Sequence, residues 1–103
     1  MGKIRQFDEF LQREVPKIEA SPAFTSNSVI LITWDESDAE GIHGDPLYGG
    51  GQVQWIMESP LVQPGEYSGL SNHYSTLQML EDGFGVPHIA GAVDASPIPV
   101  TWK

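Results

Sequence analysis

The chain has 103 residues and no cysteine, which excludes disulfides, thiolate metal sites and cysteine nucleophiles. Its composition, 40% hydrophobic with several bulky aromatic residues, is that of one small folded domain rather than a disordered segment. The net charge is −9, and no lysine or arginine occurs between positions 18 and 102. Such a field repels nucleic-acid phosphates, so we expect no binding of nucleic acid through charge. It repels any anionic substrate too, unless a bound cation reverses the local charge.

No apolar run in the sequence is long enough to cross a membrane, so we expect no membrane span. Residues 1–5 begin an amphipathic pattern at once and lack the apolar centre of a signal peptide, so we expect none in this chain. The absence of cysteine suits either side of a membrane, and the compartment stays open.

The first predicted element is an amphipathic helix. Its apolar residues recur at spacings of three and four: Ile4, Phe7, Phe10, Leu11, Val15 and Ile18. Pro16 has no N–H to donate to the helical ladder, so we expect a kink or a break near Val15. Turn-forming residues at 21–22 and 25–28 follow.

Two strands are predicted after this helix. Residues 29–34 form a continuous apolar and β-branched run, which is typical of a strand covered on both faces, as in a parallel sheet. An acidic, glycine-rich loop follows to Gly51, and residues 53–57 form a second, shorter strand. Two strands do not make a stable covered sheet alone, so we expect the chain to be part of a larger domain.

The second predicted helix has Ser71 or Asn72 as its cap and an apolar stripe at positions 74, 77, 80 and 84. Gly85 and Pro87 forbid its continuation. From His88 onward, small residues and prolines predict an irregular, packed segment.

Asp35 and Glu36 follow the first strand, and the end of a strand is where ligands bind in open α/β sheets. Paired carboxylates there are hard oxygen ligands, suited to Mg²⁺, Ca²⁺ or Mn²⁺. A strand that ends in Asp-Glu and enters a solvated loop is also common, and the spacing by itself favours that interpretation.

Two histidines are further candidates. His43 lies in the acidic loop, where it is either a ligand or general acid beside the site or, as is usual for a lone loop histidine, simply exposed. The same loop fails as an EF-hand, because Leu47 stands where the bidentate carboxylate is required. His73 is either turned towards a ligand by the helix start or a plain helix-entry residue.

Several blocks in order resemble a known family. They are residues 16–24, the run from Val29 to Asp35-Glu36, residues 59–67, and the Asn-His-Tyr-Ser motif at 72–75, which leads into 80–87. Together they resemble the C-terminal half of the bacterial phosphoesterase family that contains acid phosphatases and phospholipases C, similar in fold to alkaline phosphatase.

The resemblance implies an α/β fold, a partial alkaline-phosphatase-like domain with helices packed on a mostly parallel β-sheet. Residues 1–103 would be one domain, the C-terminal part of a longer phosphoesterase domain. It implies a divalent metal ion held by Asp35 and Glu36, and it places the catalytic candidate His73 near the site. His43 is a catalytic candidate from its position in the acidic loop, and the resemblance assigns it nothing. The family's hydroxyl nucleophile comes from an N-terminal region with no counterpart here.

The sequence therefore predicts a metal-dependent hydrolase of phosphate esters that is incomplete in this chain. One alternative is a non-catalytic acidic module that binds divalent cations or a basic partner through residues 35–45. The other is a structural remnant that forms a homo-oligomer through an exposed sheet edge.

Overall fold

The computed structural model of the protein describes residues 2–36 and 51–103. The chain divides into two compact units, Met1–Leu61 and Val62–Lys103, and each is described by itself. In the described residues the class is mixed α/β, with two α-helices and a two-stranded sheet. No helix in this part of the chain is both long enough and apolar enough to cross a membrane.

Helix α1 occupies Gly2–Glu19 of the first unit. The amphipathic helix is confirmed. We predicted a kink or a break near Val15, and the break is excluded, because the helix runs through Pro16. Proline removes one hydrogen bond, to the carbonyl four residues earlier, and the turns beyond it can still close. They do so here, since the N–H of Ala20 donates to the carbonyl of Pro16 at 2.9 Å.

Strands β1 (Ile30–Thr33) and β2 (Trp55–Glu58) form the sheet of the first unit. They are antiparallel, with Ile30 opposite Glu58 and Thr33 opposite Trp55. The predicted mostly parallel sheet is therefore wrong. A parallel pair needs a crossover, usually a helix, and the sequence between these strands has no helical periodicity. The apolar run was interpreted as covered on both faces, yet the side chains of β1 are half-buried or exposed.

Helix α2 (His73–Phe84) begins at the predicted Asn72 cap. The Asn72 side chain accepts from the N–H of Ser75, and the Ser75 hydroxyl accepts from the N–H of Asn72, both at 3.1 Å. At the other end Gly85 adopts φ +67°, the left-handed conformation that glycine enters without strain. The N–H groups of Gly85 and Val86 then satisfy the carbonyls of Asp82 and Glu81.

The segment after α2 is irregular, as predicted, but most of its residues are exposed rather than packed. It contains a short 3-10 helix at Ala90–Ala92, which packs against α2, and Ala92 is fully buried. Close to the C-terminus Trp102 forms an antiparallel bridge with Val62, the other buried apolar residue among those described. The core of the second unit is therefore small.

A carboxyl pair lies at one end of the sheet in the first unit. The pKa of Glu58 is raised, chiefly by a hydrogen bond with the side chain of Glu19, and further by desolvation and by the negative charge of Glu19. Because Glu58 pairs with Ile30 and Thr33 pairs with Trp55, this carboxyl pair and Asp35 lie at opposite ends of the sheet. Three residue steps along a strand separate those ends by about 10 Å.

The Glu19–Glu58 pair predicts a pH dependence of stability. A carboxyl whose pKa is raised by folding stabilises the fold below its ordinary pKa, and this contribution is lost as the pH rises through the raised value. Urea unfolding should therefore show Glu58→Gln to be more stable than the parent at neutral pH, with the difference vanishing in acid. The exposed Glu66→Gln is the control. An equal pH dependence in all three proteins would contradict the interpretation.

Two glycines predict opposite responses to alanine. A methyl group on Gly91 would lie 2.5–2.9 Å from ring carbons of Tyr74, whereas one on Gly83, within α2, would meet nothing within 4 Å. Gly91→Ala should lower the free energy of unfolding by about 1–3 kcal/mol, because the ring must move. Gly83→Ala should raise it by about 0.5–1 kcal/mol, through helix propensity. Chemical denaturation measures both, and Gly91→Ala should become nearly neutral in a Tyr74→Ala background.

Candidate functional site

The carboxylates of Asp35 and Glu36, which we call the acidic pair, follow β1 in the first unit. Thr33 is the last residue of the strand, and Trp34 separates it from the pair. Both acidic residues are exposed. The Oδ1 atom of Asp35 accepts a hydrogen bond from the backbone N–H of Glu36 at 2.9 Å. The Asp35 carboxylate is thus turned back over its own backbone, which limits its rotation.

Two contacts hold the chain immediately before the acidic pair. The hydroxyl of Thr33 donates to the backbone carbonyl of Gln54 at 2.8 Å, across the sheet. The ring of Trp34 lies 5.0 Å from the ring of Phe7 on helix α1, at an angle of 51°. One contact ties the strand end to its partner strand, and the other ties the next residue to α1.

The acidic pair fits a hard divalent cation in the type of its donors, since Mg²⁺, Ca²⁺ and Mn²⁺ prefer oxygen ligands. The number of its donors is too small for such an ion. These ions take six or more ligands, and no cluster of three or more histidine, aspartate or glutamate side chains able to hold a metal occurs in residues 2–36 and 51–103. The pair can therefore supply part of an oxygen shell, and the other ligands would come from elsewhere.

His73 is the first residue of α2, in the second unit, and its side chain is exposed. The cap is Asn72, so His73 is not needed to satisfy the helix start. The first turn of a helix presents N–H groups and the positive end of the helix dipole, and both favour an anion beside it. His73 is thus placed where it can meet an anionic group, while His43 lies outside the described residues. Asp35 and Glu36 are adjacent in the sequence, and the Asp35 carboxylate bonds to the backbone of Glu36.

Polar residues on α2 form a cluster that the sequence analysis did not identify. Glu81 is only 6% exposed, and its Oε2 accepts from the backbone N–H of Ile89 at 3.1 Å. Its Oε1 has no hydrogen-bond partner within the described part of the chain. The amide nitrogen of Gln78 donates to the carbonyls of Ala92 and Ala95, both at 3.0 Å.

This cluster holds the segment after α2 through its backbone, so its role is structural. The spacing of three between Ser75, Gln78 and Glu81 was the available signal. A polar stripe inside a helix that precedes a glycine- and proline-rich segment is a candidate for hydrogen bonds to that segment's backbone. His88 also has a structural partner, because its Nε2 lies 2.6 Å from a carboxylate oxygen of Asp82.

Comparison with known proteins gives two matches and one negative result. Residues 2–87 match the model of the phosphoesterase family. Over 101 residues the chain is 33% identical to the phosphatidylinositol-3-phosphatase of Mycobacterium tuberculosis, an alignment that covers 98% of this chain and 31% of that protein. The chain therefore spans about a third of the length of this relative. No solved structure matches the chain.

The family match includes both helices, both strands and the acidic pair. The alignment with the mycobacterial phosphatase extends over nearly the whole chain and agrees with the family match. The chain belongs to the phosphoesterase family.

Proposed function

We propose that this chain is part of a metal-dependent phosphate-ester hydrolase in which Asp35 and Glu36 bind a divalent cation. The observation that carries the proposal is the position of the acidic pair, which follows β1 after one intervening residue, Trp34, within the region that matches the family. The name of the relative, a phosphatase, favours a phosphomonoester substrate over the diester that a phospholipase C cleaves.

Charge supports a cation at this position. No lysine or arginine occurs between positions 18 and 102, so these residues offer no cationic side chain to the oxygens of a phosphate ester. A divalent ion would supply the positive charge that polarises a phosphoryl oxygen. Asp35 and Glu36 would hold that ion from one side. Arginines from a segment outside this chain are the alternative source of the same charge.

The reaction also needs a nucleophile and groups that transfer protons or bind the phosphate, and we assign these to residues other than the acidic pair. We place His73 beside the phosphate ester, where the first turn of α2 would help to accept its negative charge. His43 is the second candidate for proton transfer, on the strength of its position in the acidic loop. The hydroxyl nucleophile would come from a segment outside this chain.

We also propose that the chain forms the C-terminal part of a longer alkaline-phosphatase-like domain. Large apolar side chains in both units are exposed, among them Ile4 at 74%, Leu70 at 94% and Phe84 at 81%. The alignment with the mycobacterial relative covers 31% of that protein. Further segments of such a domain would cover these side chains and would provide the remaining metal ligands.

A second candidate function is self-association without catalysis. In the described part of the chain the sheet has two strands, so each strand has one edge that no further strand covers. Such edges can pair with another copy of the chain. Molar mass in solution separates the two candidates, since self-association requires a dimer or larger assembly whether or not a cation is present.

The proposed function predicts that activity depends on Asp35 and on a divalent cation. A suitable protein is a chimera in which this chain replaces the aligned part of the mycobacterial phosphatase. With p-nitrophenyl phosphate as substrate, Asp35→Asn should lower kcat/KM by about 100-fold or more, since loss of even an outer-shell partner typically costs 10–100-fold. EDTA should abolish the activity, and Mn²⁺ or Mg²⁺ should restore it.

The matched control is Asp94→Asn, which removes an exposed carboxylate from the second unit and should leave kcat/KM unchanged. The proposal fails if an active chimera is insensitive to EDTA and to Asp35→Asn. His73→Asn should lower kcat/KM while the affinity for Mn²⁺, measured by calorimetry, stays the same. A loss of Mn²⁺ binding in that variant would contradict the role beside the phosphate.

A further inference from the structure

Helix α1 has a groove along one side, with a volume of about 440 Å³. We call it the α1 groove, and its walls are formed by Asp8, Leu11, Gln12, Val15 and Pro16. Leu11 and Val15 are half-buried, whereas the other three residues are exposed. No residue of α1 is buried, so the contacts within the first unit leave this side of the helix open.

Pro16 leaves a backbone acceptor at the wall of the groove. In an α-helix each N–H donates to the carbonyl four residues earlier, and proline has no N–H. The carbonyl of Gln12 therefore lacks the donor that its place in the helix would give it. The proline ring also crowds this carbonyl, which favours an outward tilt. Because Gln12 and Pro16 both line the groove, an outside donor can reach this oxygen.

Asp8 is the second acceptor of the groove. Most cations of α1 pair with other carboxylates of the same helix: Arg5 with Glu9, and Arg13 and Lys17 with Glu14. Lys3 is five residues before Asp8, which places it about 140° away around the helix. The remaining cation, Lys103, belongs to the second unit. Within the described residues Asp8 thus has no cationic partner, and no arginine of the chain is left for it.

The acceptors and walls of the α1 groove fit an arginine side chain. Asp8 and Gln12 are four residues apart, so they lie about 5–6 Å from one another on the same side of the helix. A guanidinium has five N–H donors in a planar fork and can bond to both acceptors, whereas the ammonium of lysine is a point charge. The methylene stem of the arginine would pack on Leu11 and Val15.

We propose that the α1 groove binds an arginine side chain from another segment of the longer phosphoesterase domain, with the Asp8 carboxylate and the Gln12 carbonyl as its acceptors. The inference rests on the proposal that this chain is part of such a domain, and the larger part of the mycobacterial relative lies outside the alignment. A second copy of the chain fits less well, because each copy has a net charge of −9 and both of its arginines are in ion pairs.

The chemistry of the groove is tested on the 103-residue chain, with n-butylguanidinium as the probe. Titration followed by ¹³C NMR should show saturable shifts of the Asp8 carboxyl carbon and of the Gln12 carbonyl carbon, and n-butylammonium should bind more weakly. Asp8→Asn should weaken the binding of n-butylguanidinium about two- to fivefold, as expected of an exposed ion pair. Pro16→Ala should weaken it about two- to tenfold, because the alanine N–H then occupies the Gln12 carbonyl.

Glu9→Gln is the matched control, since Glu9 pairs with Arg5 and does not line the groove. It should leave the binding of n-butylguanidinium unchanged. Circular dichroism follows the helix, which Pro16→Ala should strengthen, so a loss of binding in that variant is not a loss of fold. The α1 groove is the wrong site if either Pro16→Ala or Asp8→Asn binds the probe as tightly as the parent.

The source of the arginine is tested in the chimera with the mycobacterial phosphatase. Asp8→Asn should lower the melting temperature of the chimera by about 2 °C or more, through loss of the ion pair. The same change should not shift that of the 103-residue chain, since Asn and Asp have similar helix propensities. Equal shifts in the two proteins would overturn the longer domain as the source.

Failure of the proposed function has a different signature. A chimera that melts earlier with Asp8→Asn but does not hydrolyse p-nitrophenyl phosphate would contradict the phosphatase activity and leave the arginine contact standing. An active chimera whose melting temperature is indifferent to Asp8→Asn would do the reverse.

Discussion

The antiparallel pairing of β1 with β2 is the constraint on which the first unit depends. Its register places Glu58 opposite Ile30 and Trp55 opposite Thr33. Because side chains alternate between the two faces of a strand, a slip of one residue would turn every side chain to the opposite face. The register also determines which groups lie at each end of the sheet. Glu58 lies beside Glu19 at one end of the sheet, and the acidic pair follows β1 at the other end.

Each end of the sheet therefore has two carboxylates, and the two pairs differ in physical character. At the Glu19–Glu58 end, the side chain of Glu19 raises the pKa of Glu58, so Glu58 holds a proton more readily. At the other end, Asp35 accepts a hydrogen bond from the backbone N–H of Glu36. The neighbours of the acidic pair, Thr33 and Trp34, are both anchored, by the bond to Gln54 and by the ring of Phe7.

The second unit obtains its order mainly from polar contacts. Its buried residues include only small or medium apolar side chains, Val62 and Ala92, beside the polar Ser75 and Glu81. Asn72 and Ser75 close the start of α2, while Gln78 and Glu81 bind the backbone of the segment that follows it. These contacts fix the backbone of α2, including its first turn, where His73 lies. The family match includes this turn together with the acidic pair.

The sequence by itself determined the local features of this protein. The amphipathic pattern of α1, the Asn72 cap, and Gly85 with Pro87 after α2 were all predicted, because each depends on residues within a few positions of one another. The ordered blocks of residues also identified the family, which the match over residues 2–87 confirms. The second strand was predicted at 53–57, so that it began two residues and ended one residue before the observed Trp55–Glu58, since the ends of a strand depend on its partner.

Only the tertiary structure decided how distant segments meet. The relative direction of the two strands was predicted wrongly, because a continuous apolar run indicates burial but does not specify the direction of the partner strand. The persistence of α1 through Pro16, the contact of Phe7 with Trp34 and the bonds of Glu81 to Ile89 likewise depend on geometry beyond local spacing. The physical reason is the same in each case: periodicity records which faces are apolar, whereas side-chain contacts between distant positions exist only once the chain has folded.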